Sequence, residues 1–103
     1  MERMETEIDI VSLIPIGEDK RITAADIKRL TNKDGSTVRV IVNEARANFV
    51  PIGSDCNGYF IAVKPDELNH TIAQINSRIH KMIQAREGLK KAQKLMEEAH
   101  NEQ

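Results

Sequence analysis

Apolar residues recur along this chain in short helical stripes, one pair of strand-like runs and one long seam. Ile10, Val11 and Ile14 share a helical face, and Pro15 with Gly17 closes it, so a short first helix is expected over roughly 9–14. Thr23 is a good N-cap with Asp26 three residues on; Ala24, Ile27 and Leu30 then form the inward stripe of a two-turn second helix. Asn32-Lys33-Asp34-Gly35 is turn chemistry: Gly35 is free to take positive φ, and Asp34 or Ser36 can cap the next helix. A third helix is expected over 36–48, with Val38, Ile41, Val42, Ala45 and Phe49 turned inward. Its outward face carries Ser36, Thr37, Arg39, Val40, Asn43, Arg46 and Ala47.

Val50-Pro51-Ile52 and Tyr59-Phe60-Ile61-Ala62 read as two short strands, with Gly53 to Gly58 as the connection. Pro51 suits an edge position. Lys64-Pro65-Asp66-Glu67 then opens a last helix, with proline early and acids in the first turn. No later proline stops it before about His100, a length of ~50 Å at 1.5 Å per residue. Leu68, Ile72, Ile75, Ile79 and Met82 make a heptad seam on it, and Ala85, Leu89, Ala92, Met96 and Ala99 make a second. The two are joined by a short step, as at a stammer, with Gly88 close by.

This order predicts a mainly α fold with a small β-hairpin: a winged helix-turn-helix over 8–64, followed by a long C-terminal helix over 65–101. That helix is longer than a small domain needs for its own core. Leu68, Ile72, Ile75, Ile79, Met82, Leu89 and Met96 are therefore the expected dimerisation residues, in a homodimer of parallel or antiparallel helices.

Composition agrees. The chain has 103 residues, 40% of them apolar and only 3% aromatic, so the core must be aliphatic. Net charge is −1, but it is unevenly placed. Residues 1–20 hold two basic and six acidic side chains, residues 21–64 seven and four, and residues 65–103 six of each. The basic excess falls on the helix-turn-helix. A further basic run, Arg86, Lys90, Lys91 and Lys94, is expected to be a solvated face.

Catalysis finds no constellation. Cys56, the single cysteine, has no basic sequence neighbour to activate it and no partner for an internal disulfide, as in a reducing cytosol. Glu67-x-x-His70 occurs once, and no Cys/His spacing suits zinc. There is no phosphate-binding glycine loop and no nucleophile elbow. No apolar run is long enough for a membrane span, and no leader pattern opens the chain. The expectation is a non-enzymatic, cytoplasmic protein without cofactor or metal.

SLIPIG (12–17), ITAADIKRLT (22–31), DGSTVRVIVNEAR (34–46), VPIG (50–53) and GYFIA (58–62), in that order, resemble the small winged-helix proteins of phages and prophages of Gram-positive bacteria. The resemblance covers roughly residues 8–100. It implies a double-stranded DNA-binding protein in the bacterial host cytoplasm, used as a transcriptional regulator or in replication. On the matching positions Ser36, Thr37, Arg39 and Asn43 are the DNA-facing set. Side-chain chemistry sorts the set further. Thr37, Arg39 and Asn43 suit base edges, Val40 a thymine methyl, and Lys28, Lys33, Ser36 and Arg46 phosphates. The wing tip, Ser54-Asp55-Cys56-Asn57, departs from a phosphate-gripping wing in having an acid and no Lys or Arg. With the near-neutral net charge, this keeps a second reading in play: a winged-helix module that docks a host or phage protein.

Overall fold

The computed structural model describes residues 10–101. The expected starts at residues 8 and 9 lie outside them. The described part of the first helix, α1, occupies 10–13. After it come α2 (Ala24–Thr31), α3 (Gly35–Ala47), β1 (Ile52–Asp55), β2 (Gly58–Ile61), a 3-10 turn (Pro65–Leu68) and α4 (Asn69–Asn101). The chain is thus mainly helical, with one antiparallel hairpin and a long final helix. It divides into two compact units, Met1–Thr71 and Ile72–Gln103.

In the first unit, local chemistry sets the helix ends. The Thr23 hydroxyl accepts from the Asp26 amide at 3.0 Å, and Asp26 reaches back to the Thr23 amide. Asp34 caps α3 by accepting from the Thr37 amide at 2.9 Å. Gly35 is therefore the first helical residue, and the positive φ of this turn belongs to Asn32 (61°). The Glu67 carboxylate accepts from the amides of Val63 and Lys64 and so holds the 3-10 turn.

Ile10, Ile14, Ile27, Val38, Ile41, Val42 and Ile52 form the buried core, with Val11, Ile22, Ala45, Val50, Tyr59 and Ile61 packed around it. Two expected core residues are outside. Leu30 is 61% exposed: Ala24, Ile27 and Thr31 share the inward arc of α2, and Leu30 lies a step beyond it. Thr31 sits there instead, donating to the Ile27 carbonyl at 2.7 Å and accepting from the Lys33 amide. Phe49 is 93% exposed because α3 ends before it. The Val50 amide bonds the Ala45 carbonyl and the Phe49 amide that of Arg46, a Schellman ending with Phe49 at φ 72°. Val50 turns inward in its place.

The hairpin is also shifted. Val50 and Pro51 belong to the exit from α3, and β1 runs on through Gly53, Ser54 and Asp55, which pair with Phe60, Tyr59 and Gly58. Only Cys56 and Asn57 remain as the turn. Gly53 fits mid-strand because the Phe60 ring occupies the space its side chain would need. The other side of β2 is bonded as well: Tyr59 exchanges two backbone bonds with Ile22, and Ile61 bonds Pro15 and Gly17.

The second unit is the outer part of α4. From 76 to 101 every residue is exposed. No helix of the described residues is long and apolar enough to cross a membrane.

Candidate nucleic-acid interface

The outward side of α3 is dictated by its inward side. With Val38, Ile41 and Val42 buried, helical geometry puts Ser36, Arg39, Val40, Asn43 and Ala47 on the opposite stripe. Ser36, Arg39, Val40 and Asn43 are all exposed, Val40 at 57%. The stripe carries no acid. Thr37 is exposed too, but on a flank it shares with Glu44, one heptad on. Arg39 has only a long contact, 3.5 Å from its guanidinium to the Ser36 hydroxyl, so it is nearly free to reach outward.

Lys28 is exposed on α2 and Lys33 half-buried in the turn. Arg29 is paired with Asp26 at 2.8 Å. The N-terminal end of α3 already holds the Asp34 carboxylate, so it is not an open anion site. Hydrogen bonds from Thr37, the amide first and then the hydroxyl, hold the Asp34 carboxyl below its ordinary range, with Lys28 adding to them.

Arg46 is placed differently from the rest of the set. Its Nε donates to the Ile52 carbonyl at 2.9 Å, and its other nitrogens to Ser54 Oγ at 3.0 Å and Asn43 Oδ1 at 3.3 Å. It ties α3 to β1. The hairpin turn also changes character. Asp55 pairs with Arg21 at 2.7 Å and accepts from the Asn57 amide at 2.9 Å, so its charge is balanced locally. The Arg21 guanidinium lies 5.4 Å from the Phe60 ring centre. Sequence reasoning missed Arg21, whose only signal was an arginine beside an apolar β-branched residue.

No protein-family model, curated protein or solved structure matches the chain.

Among the described residues no group of three His, Cys, Asp or Glu side chains is placed to hold a metal. Cys56 is exposed at the turn. The expected dimerisation residues lie on α4 and just before it: Leu68 and Ile75 half-buried, Ile72, Ile79, Met82, Leu89 and Met96 exposed.

Proposed function

We propose that the first unit carries, over residues 8–64, a winged helix-turn-helix that binds double-stranded DNA, with α3 as the reading helix. The observation that carries this is the acid-free outward stripe Ser36, Arg39, Val40 and Asn43. It stands on a helix whose opposite face is fixed in the core. A guanidinium and a carboxamide one turn apart, flanked by a hydroxyl and a methyl-bearing side chain, match what base edges in a major groove present. Lys28 and Lys33 supply phosphate contacts on the neighbouring α2 and turn. Arg46 is assigned to the scaffold. The hairpin is the wing; with Asp55 neutralised by Arg21, it does not repel the duplex through that acid. The resemblance of its motifs supports a phage or prophage regulator or replication accessory.

Binding to duplexes tiled across the gene's own neighbourhood, at low and near-physiological salt, tests this. Arg39→Ala is expected to cost about 1–3 kcal/mol on the preferred duplex and to relax specificity, whereas Lys33→Ala weakens all duplexes alike. Equal losses for Arg39→Ala on preferred and scrambled duplexes would refute base reading.

A second reading, a protein-docking module, is favoured by the exposed Leu30, Val40 and Phe49 on and just after the same two helices. Binding to a protein that survives high salt, with no salt-sensitive duplex binding, would select it.

A further inference from the structure

We propose that Arg46 is a positioning residue for Asn43: it takes the side-chain oxygen and turns the amide nitrogen outward, so that α3 offers a hydrogen-bond donor there and selects guanine. This rests on the reading of α3 as the DNA-binding helix. Asn43 and Arg46 stand three residues apart on α3, and side chains on a helix lean toward its N-terminus, so Arg46 reaches back over Asn43. Its guanidinium is held at two points by β1, through Nε to the Ile52 carbonyl at 2.9 Å and through one terminal nitrogen to Ser54 Oγ at 3.0 Å. Two bonds fix a planar group, and the remaining terminal nitrogen then points to Asn43 Oδ1 at 3.3 Å. Ser54 is fixed in turn. The hydroxyl of Thr71, itself 4% exposed, bonds both the Ser54 amide and its carbonyl.

A guanidinium donates and never accepts, so only the oxygen of the carboxamide can face it. The Asn43 amide nitrogen is thereby turned away. Asn43 is exposed, and among the described residues that nitrogen has no partner. An unrestrained asparagine reads adenine with both atoms, donating to N7 and accepting from the N6 amino group. Here the accepting atom is already engaged by a cation, and what remains on offer is a donor. Guanine answers it best, with two acceptors, N7 and O6, on its major-groove edge; cytosine presents a donor and is rejected. The side chain is also held before the duplex arrives, so less rotamer freedom is lost on binding. Arg46 acts through its neighbour, carrying the position of the hairpin to the outward stripe of α3.

The test has one arm without DNA and one with it, each on the full chain. In the free protein, NMR relaxation of the Asn43 side-chain amide is compared between wild type, Arg46→Lys and Ser54→Ala. A lysine ammonium cannot hold Ile52, Ser54 and Asn43 at once, and Ser54→Ala loosens the guanidinium without altering α3. The amide should be rigid in wild type and mobile in both variants. An amide equally mobile in all three would overturn the proposal whatever the protein binds. On the preferred duplex, each base pair is then exchanged in turn, and the pair whose discrimination vanishes in Asn43→Ala is the one Asn43 reads. Guanine is expected there, by roughly tenfold over adenine. The preference should shrink in Arg46→Lys and Ser54→Ala and move to cytosine in Asn43→Asp, whose carboxylate keeps the bond to Arg46 and can only accept. An adenine preference in wild type, or a guanine preference unchanged in Arg46→Lys and Ser54→Ala, would overturn the proposal. A rigid Asn43 with no duplex preferred would instead refute the role given to α3, and the guanine assignment with it.

Discussion

Phe49 holds a left-handed backbone angle that an aromatic residue rarely takes, and its ring is almost wholly in solvent. Glycine is the usual occupant of this place in a Schellman ending. Phe49→Gly is expected to raise stability by on the order of 0.5–1 kcal/mol, the left-handed penalty relieved less the entropy cost of glycine. A urea melt that instead shows a loss would mean the ring packs on something in solution. Asp34 shows how a cap becomes a pH dependence. Its folded carboxyl titrates below the ordinary value of 3.8, chiefly through the Thr37 amide and hydroxyl. A depressed carboxyl adds stability that is present above the unfolded value and lost as pH falls through the folded one. Asp34→Asn should therefore keep the neutral-pH melting temperature and flatten the fall in acid. Asp34→Ala should lower the melting temperature at neutral pH, both read from thermal melts across pH 2–7 as an approximate window.

At the scale of elements, what the sequence made legible was local. Thr23 and Asp34 act within three residues of themselves, so α2 and α3 could be bounded from their own neighbours. The outward stripe of α3 came from periodicity for the same reason. The misplacements arise where a distant group decides. The Phe60 ring is what makes Gly53 a strand residue, and the Schellman bonds at Ala45 and Arg46 are what expel Phe49. Arg46 looked like a phosphate contact because nothing near it in sequence reveals the Ile52 carbonyl and Ser54 hydroxyl that hold it. Arg46→Ala is accordingly expected to cost about 1–3 kcal/mol of folding stability in a denaturant titration, as for a hydrogen bond from a charged group. Unchanged stability with weakened DNA binding would return it to the phosphate set. Thr71 closes the same junction from α4: its hydroxyl accepts from the Ser54 amide at 2.9 Å and donates to the Ser54 carbonyl at 3.2 Å. Thr71→Val, which keeps the shape and removes both bonds, should cost about 1–3 kcal/mol, and Thr71→Ser much less.

For the whole molecule, the two units differ in what stabilises them. Met1–Thr71 has its own aliphatic core; the outer part of α4 is exposed at every residue from 76 to 101. Hydrogen exchange should therefore be fast in residues 76–101 and slow at the core positions of the first unit. Equal protection in the two units would contradict this.

The two-stranded sheet has both of its edges occupied. Backbone from Ile22 and from Pro15 to Gly17 bonds one side, while the Arg46 and Thr71 side chains take the Ile52 carbonyl and both Ser54 groups on the other. A foreign strand finds no row of open amides on which to add, so recruitment of an extended peptide by strand addition is disfavoured, as is fibril growth from this hairpin. The hairpin can therefore stay small at high concentration without becoming a template for aggregation.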